Sequence, residues 1–269
     1  MKFKTILKQN NKQRGITRCL WLIAYSLWLI LPACSPADNS WQRIQDNGVI
    51  VVGLYPTFPP FENGDTGELH GIDVDLARAI GEHLGVEVRF SYLGYDGLYD
   101  ALATEQVDVL LSALVIDLSK TKDFAYTRPY FNAGQFLVTH QDTAAIQTQD
   151  DLGNRVVAVE LGSEGHVQAI QWERRVPNLT IQPLNTPDDA LWVVLQKEAD
   201  AAVVDQVSGR LYIRNAPELQ LLEKPITVEP YAAVVRLDDQ TLLEKLDDTL
   251  AEMEDSGQLD TIIGRWLDQ

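Results

Sequence analysis

The chain is short of cysteine. Its two cysteines, Cys19 and Cys34, both fall before residue 35, so beyond that point no pair exists to staple a fold and stability must come from packing. Histidine is scarce as well: His70, His83, His140 and His166 stand at no metal-ligand spacing. There is no Gly-Lys-Ser/Thr phosphate loop and no Gly-x-Ser-x-Gly nucleophile elbow. Glu164 and His166 are an acid–base pair close in sequence, and two surface residues in one helical turn explain them equally well. Positive charge is outnumbered, with 22 Lys and Arg against 39 Asp and Glu, a net of −17. That balance disfavours nucleic acid and anionic lipid surfaces as partners. The apolar run Cys19–Leu31, 13 residues, is too short to span a bilayer comfortably.

The same run suits the h-region of a signal peptide. Lys2, Lys4, Lys8, Lys12, Arg14 and Arg18 lie ahead of it without a single acid. Leu31-Pro32-Ala33-Cys34 closes it and resembles a lipobox, in which a small residue precedes a cysteine that becomes lipidated and N-terminal after cleavage; Pro32 departs from that pattern. A soluble secreted chain cut a few residues later, or an uncleaved anchor, fits the same residues. The expectation is a signal peptide over 1–33, a lipid on Cys34 and a polar tether over 34–40. Loss of the first 33 residues removes six cations and no acid, which leaves 16 Lys and Arg against 39 Asp and Glu, a net of −23. At 45% hydrophobic and 23% charged, the 269-residue chain otherwise has the composition of a folded protein of one or two domains with a sizeable core.

Val107–Phe131 organises the rest. Val107–Leu111 reads as a buried strand running into two small residues, Ser112 and Ala113, whose backbone a ligand can approach closely. Asp117, three residues before Lys120, reads as the N-cap of a short helix. A strand end, free backbone donors and the Lys120 cation together make a site for a small anion such as a carboxylate. A strand–turn–helix of any α/β protein accounts for the same residues, with Lys120 a solvated surface charge.

On either side, strand and helix patterns alternate. Val49–Leu54 is a strand, closed by Pro56, Pro59 and Pro60, which fix a loop carrying Tyr55, Phe58 and Phe61. After an Asp65–Gly67 turn, Ile72, Leu76, Ala79, Ile80 and Leu84 recur at helical spacing up to Gly85. Val86–Tyr92 and Phe136–Thr139 are strands, and Tyr95–Thr104 a helix. The alternation then restarts with strands at Val156–Val159, Leu179–Gln182 and Ala201–Val204, interleaved with helices at His166–Glu173, Ala190–Gln196 and Gln206–Arg214. Tyr231–Leu237 is a last strand before two helices, Gln240–Asp255 and Leu259–Leu267. The expected class is α/β with mainly parallel sheets, in two lobes with a ligand cleft between them.

Several segments in this order resemble one family. They are Val52-Gly53, Phe58-Pro59-Pro60-Phe61-Glu62, Gly71-Ile72-Asp73-Val74-Asp75-Leu76, Tyr95-Asp96-Gly97-Leu98, Val107-Asp108, Tyr126-Thr127-Arg128-Pro129-Tyr130, Asp151-Leu152-Gly153, Val156–Gly162 and Asp200–Asp205. The chain is similar to the polar-amino-acid-binding proteins of bacterial ABC importers, extracellular solute-binding proteins of the periplasmic-binding-protein type II fold. The resemblance covers Val49–Leu267. It implies lobe 1 over 41–136 and 229–269, lobe 2 over 137–228, and the C-terminal helices on lobe 1. It also implies that Phe58 and Tyr95 sandwich the ligand side chain, that Asp205 binds its α-amino group, and that Gly162 and Ser163 hold its α-carboxylate through N–H groups. For Phe58 and Tyr95, core packing is the alternative. For Asp205, capping of the following helix is compatible with binding.

Two positions depart from the family pattern, and a third residue is unusual. Lys120 stands where an arginine forks onto the ligand carboxylate, and lysine cannot make that planar contact. Val115 replaces a Ser or Thr hydroxyl, and Glu164 occupies a place usually small or hydroxylated. The resemblance implies a lipid-anchored, monomeric, extracytoplasmic receptor that captures a small polar ligand and hands it to a membrane permease. The expected ligand is an amino acid, basic or neutral polar. No enzyme activity, metal or cofactor is expected. The alternatives are a cyclic-acid dehydratase on the same scaffold, with Glu164 as general acid, and a permease-free sensor. One consequence is direct: the mature protein should partition with membranes, and Cys34→Ser should release it, as fractionation and N-terminal mass analysis would show.

Overall fold

Runs of valine and isoleucine build the middle of two sheets. In the first, β1 (Val49–Leu54) lies parallel to β4 (Glu87–Tyr92) on one side and to β5 (Val109–Leu110) on the other. One reversed strand, β14 (Val234–Arg236), pairs antiparallel with β5 and with β6 (Phe124–Tyr126), completing the order β4-β1-β5-β14-β6. The second sheet repeats the plan. There β9 (Val156–Glu160) lies parallel to β10 (Thr180–Leu184) and β11 (Ala201–Asp205). Reversed β8 (Gln135–His140) follows, pairing antiparallel with β11 and with β12 (Leu219–Leu221), in the order β10-β9-β11-β8-β12. These assignments come from a computed structural model that describes residues 39–64, 67–143 and 145–269. The signal peptide, the lipobox and most of the tether lie outside the described residues, as do Asp65 and Thr66 of the expected turn. Each sheet is mixed: four of its five strands share one direction, as the expectation of mainly parallel sheets has it, and one strand next to a lobe crossing, β14 or β8, is reversed.

The strand period of two sends alternate side chains to opposite faces. In the second sheet Val157, Val159, Ala201 and Val203 pack with Ala169 and Trp172 of α4 (Glu164–Glu173). Their neighbours Ala158, Ala202 and Val204 pack with Leu191 and Val194 of α5 (Pro187–Leu195). In the first, Ile50 and Val52 share a core with Ile72, Leu76 and Ile80 of α2 (Ile72–Leu84). Leu242, Leu246 and Leu250 of α7 (Gln240–Asp255) join that same core, followed by Ile262 and Ile263 of α8 (Gln258–Leu267). The helices after Gln240 therefore pack on lobe 1.

The two lobes share one device at the amino ends of their strands. Asp108 accepts from the Val51 N–H at 2.8 Å and from Arg43 at 2.7 Å, tying the start of β5 to β1. Asp200 does the same for β11 and β9, accepting from the Val156 N–H at 2.8 Å and from Arg155 at 2.8 Å. The chain crosses between lobes at β7 (Phe131–Asn132) and returns at β13 (Pro230–Tyr231), which pair antiparallel. Beside them Gly134 runs against the returning segment, where a Cβ would stand 2.0 Å from the Thr227 carbonyl oxygen. Only glycine fits there.

Three local expectations change. A helix, α1 (Ser40–Asn47), forms where the tether was expected to end; only Trp41 and Ile44 of its eight residues carry an apolar stripe to the core, too few to mark a period in the sequence. Asp117–Asp123 is a succession of turns, not a helix, and Asp117 accepts from the Ser119 N–H and hydroxyl. Tyr231–Leu237 divides into β13 and β14, because Ala232 N–H turns to the Leu114 carbonyl and Ala233 N–H to the Thr127 hydroxyl. The packing of α7 makes a measurable prediction. Leu246→Ala should cost about 2–5 kcal/mol of stability in urea unfolding, as a fully buried leucine does.

Candidate ligand-binding cleft

Parallel strands deliver their carboxyl ends to one edge of a sheet, and the segments singled out by the sequence lie at those edges. In lobe 1, β1 ends at Leu54 and β5 at Leu110. Phe58 follows in a small hairpin, β2 (Thr57–Phe58) with β3 (Glu62–Asn63), where it pairs with Glu62. Its ring stacks on Phe61 at 5.9 Å, and buried Phe61 meets Phe131 and Tyr231 edge-on at 5.2 Å each. Tyr95 opens the 3-10 turn before α3 (Leu98–Ala103) and stands edge-on to Tyr55 at 6.1 Å. Phe58 is 46% exposed and Tyr95 62% exposed, so both rings face solvent from a rigid aromatic base rather than filling the core. Val115 pairs with Tyr231 and leaves its side chain exposed. Lys120 holds Nζ 4.8 Å above the Tyr99 ring and 3.9 Å from Asp117, a surface cation–π contact worth about 0.5–1 kcal/mol.

Beneath these groups lies a polar layer. The Ser112 hydroxyl accepts from the Tyr55 N–H at 3.0 Å and donates to Glu62 at 2.5 Å, so the side chain is committed to the scaffold. The Ala113 N–H donates to Asp73 at 2.6 Å. Ala113 sits in the left-handed region at φ 46°, a conformation that costs a non-glycine residue about 1–2 kcal/mol. Asp73 reaches this layer because the backbone ahead of α2 presses on the hairpin at Gly71, φ 139°, where a Cβ would stand 2.1 Å from the Phe61 carbonyl oxygen.

In lobe 2, β9 and β11 are adjacent and parallel, so Gly162, Ser163 and Asp205 share one edge. Ser163 caps α4, accepting from the His166 N–H at 3.1 Å. The N–H groups expected to hold a carboxylate are occupied here: Gly162 donates to His166 Nδ1 at 3.1 Å and Ser163 to the Glu160 carbonyl at 3.2 Å. The Glu164 and Gly165 N–H groups, first in α4, donate to no described group and are the available anion donors. The Glu164 carboxylate accepts from Gln168 at 2.7 Å. Asp205 caps α6 (Gln206–Ile213) through one oxygen, accepting from the Ser208 N–H at 2.9 Å, and its second oxygen has no described donor.

A family model for the bacterial extracellular solute-binding proteins, family 3, matches residues 50–269. The chain belongs to this family. The L-cystine-binding protein TcyJ of Escherichia coli K12 is 26% identical over 229 residues, spanning 84% of this chain and 85% of its own length. The arginine-binding extracellular protein ArtP of Bacillus subtilis 168 is 25% identical over 252 residues, spanning 92% and 96%. The L-cystine solute receptor of Neisseria gonorrhoeae, in its unliganded open conformation, matches with a TM-score of 0.74 at 24% identity over 85% of this chain and 96% of its own, a likeness of fold. The solute-binding protein thus has the two-lobed type II periplasmic-binding-protein fold that its sequence led us to expect.

One group of residues escaped the sequence reading. Glu62 and Asp73 are fully buried in this solute-binding protein, with Tyr130 beside them. Burial, then the Asp73 charge, pushes Glu62 up to about 10. Burial pushes Asp73 up to about 7, against the neighbouring Tyr130 hydroxyl, the Ala113 N–H and the Glu62 carboxyl, which lower it. The signal was present in α2, where Asp73 falls on the apolar stripe of Leu76, Ala77 and Ile80. Both acids bind a proton more tightly folded than unfolded. Their stabilising contribution is full below the ordinary values of 4.5 and 3.8 and is lost as pH rises through about 7 and then about 10. The unfolding temperature should therefore fall as pH rises from about 5 to about 9, and Glu62→Gln should remove most of the fall above about pH 7. Calorimetric melts of both proteins across that range check this.

Proposed function

We propose that this family 3 protein captures a small polar amino acid in the cleft between its lobes and passes it to an ABC permease. The observation that carries the reading is chemical complementarity across the cleft. Lobe 1 offers two solvent-facing rings, Phe58 and Tyr95, and the Lys120 cation. Lobe 2 offers the unpaired Asp205 oxygen and the Glu164 and Gly165 N–H donors. A zwitterion with an amphipathic side chain meets all of these groups. With lobe 1 over 41–136 and 229–269 and lobe 2 over 137–228, the ligand bridges the two and shifts the population toward a closed form.

TcyJ is named for L-cystine and ArtP for arginine, and both are amino acids. Glu164 and Asp205 against the single Lys120 favour a basic or neutral polar ligand over Asp or Glu. Glu164, the acid a dehydratase reading would use, is paired with Gln168 on the helix surface, which favours binding without turnover. The protein acts outside the cytoplasm as a monomer held to the membrane by a lipid on Cys34.

Calorimetry and thermal shift with L-arginine, L-glutamine, L-cystine and succinate test the assignment. A true ligand at 100 times its Kd should add about 2.7 kcal/mol of stability. Lys120→Ala should weaken it by about 2 kcal/mol or more, by leaving the carboxylate without its cation. Lys120→Arg should bind as well or better. Glu164→Gln should weaken only a cationic ligand. Undiminished binding in Lys120→Ala would mean that no carboxylate sits at this strand end, and the amino-acid reading would fall.

A further inference from the structure

Two acids are sealed in lobe 1 with no base to neutralise them. Glu62 and Asp73 are each 0% exposed. Among the described residues no lysine, arginine or histidine bonds to either, and the charged neighbour of each is the other. One oxygen of each is spoken for: Glu62 Oε1 takes the Ser112 hydroxyl and Asp73 Oδ2 the Ala113 N–H. The other two, Glu62 Oε2 and Asp73 Oδ1, have no ordinary hydrogen bond, and neither has the buried Tyr130 hydroxyl. The two acids are neighbours: the Asp73 N–H donates to the carbonyl of Phe61 at 2.9 Å, next to Glu62, and their bonded oxygens are held by the adjacent residues Ser112 and Ala113. Both acids act on the Tyr130 hydroxyl. Tyr231, on β13, packs on Phe61 and is itself pushed up, first by burial and then by carboxylates, Glu229 and Asp205 ahead of the two acids. Both tyrosines thus remain hydroxyl donors at neutral pH.

Proton count decides whether this arrangement is satisfied. With no proton on the pair, two carboxylates meet in a buried space, which neither tyrosine can offset. With one proton, Glu62 and Tyr130 each have a hydrogen to offer Asp73, and the remaining charge receives the Ala113 N–H. With two, Asp73 becomes a neutral acceptor, and its bond to Ala113 loses the charge assistance that holds a left-handed alanine in place. Ser112 and Ala113 lie directly after β5, at the edge where the ligand rests.

We propose that Glu62 and Asp73 are positioning residues that hold one proton between them, and that this state fixes the Ser112–Ala113 floor, so that ligand affinity falls when the pair takes up a second proton. The inference rests on the proposed ligand site. The device would let an acidic exterior loosen the receptor's grip without touching any group that contacts the ligand.

Two measurements test it. The first needs no ligand: the Ala113 amide proton, followed by NMR in the wild-type protein, should titrate near neutral pH and stop titrating in Asp73→Asn. The second follows L-arginine, L-glutamine and L-cystine by calorimetry. The affinity of whichever binds should drop roughly tenfold from about pH 8 to about pH 6 in the wild type and stay level in Asp73→Asn. Glu62→Gln, which keeps a donor toward Asp73 at every pH, should retain the acid limb; its loss there would assign the titration to Glu62 and overturn the proposal. A limb that survives Asp73→Asn and disappears in His166→Gln belongs to the His166–Gly162 contact and overturns it too. Failure of all three amino acids to bind defeats the functional reading and the affinity claim with it, while the amide titration still decides the proton count. A level wild-type profile together with measurable binding defeats the present inference alone.

Discussion

The contact between Gly71 and the Phe61 carbonyl is the constraint on which lobe 1 turns. It lets the start of α2 lie against the β2–β3 hairpin, which no side chain at residue 71 would permit. That approach carries Asp73 to Glu62 and to Ala113, and it seats Phe61 beneath Phe58. The aromatic ring offered to solvent, the buried acids and the strained backbone after β5 are therefore one assembly. Its polar half would be unstable as bare charges and its apolar half marginal as a two-stranded hairpin, which cannot stand alone in water. Each makes the other possible.

Much of this fold was legible in the sequence, and the reason lies in pattern. Valine-rich strands buried on both faces, and helices such as Ile72–Leu84 with a strong stripe and a Gly85 stop, announce themselves. The sequence could not show that β14 and β8 run against the other strands of their sheets, because strand direction depends on where the chain crosses between lobes. It could not show α1 either, since only two apolar residues of that short helix, Trp41 and Ile44, reach the core. The turns over Asp117–Asp123 were misread for a chemical reason: an Asp that accepts from the N–H two residues on closes an Asx turn as readily as it caps a helix.

The site divides in the same way. Phe58, Tyr95 and Asp205 were singled out by the family resemblance, with core packing open for the two rings; the structure leaves both rings exposed and places all three residues at or just past the carboxyl ends of strands. In lobe 2 the Gly162 and Ser163 N–H groups are engaged within the protein, and no sequence rule says that His166 will occupy the Gly162 N–H. Glu62 and Asp73 could be matched to a motif yet not understood. A carboxyl group's burial is decided by what packs over it, here Gly71, Phe61 and Tyr130, contributed by separate segments.

The paired aspartates at the other ends of the sheets have a consequence for how such a protein changes over time. Asp108 and Asp200 clamp strand starts with backbone and arginine contacts, far along the strands from Phe58, Lys120, Glu164 and Asp205. Each lobe thus has a clamped base and an open crown. Under the proposed function, substitutions at the crown would alter which solute is held while the base continues to secure the fold. A scaffold divided in this way is evolvable: its specificity can drift through many single substitutions without passing through an unfolded intermediate, and replacements such as Lys120 and Val115 lie in the half of the molecule where change is tolerated.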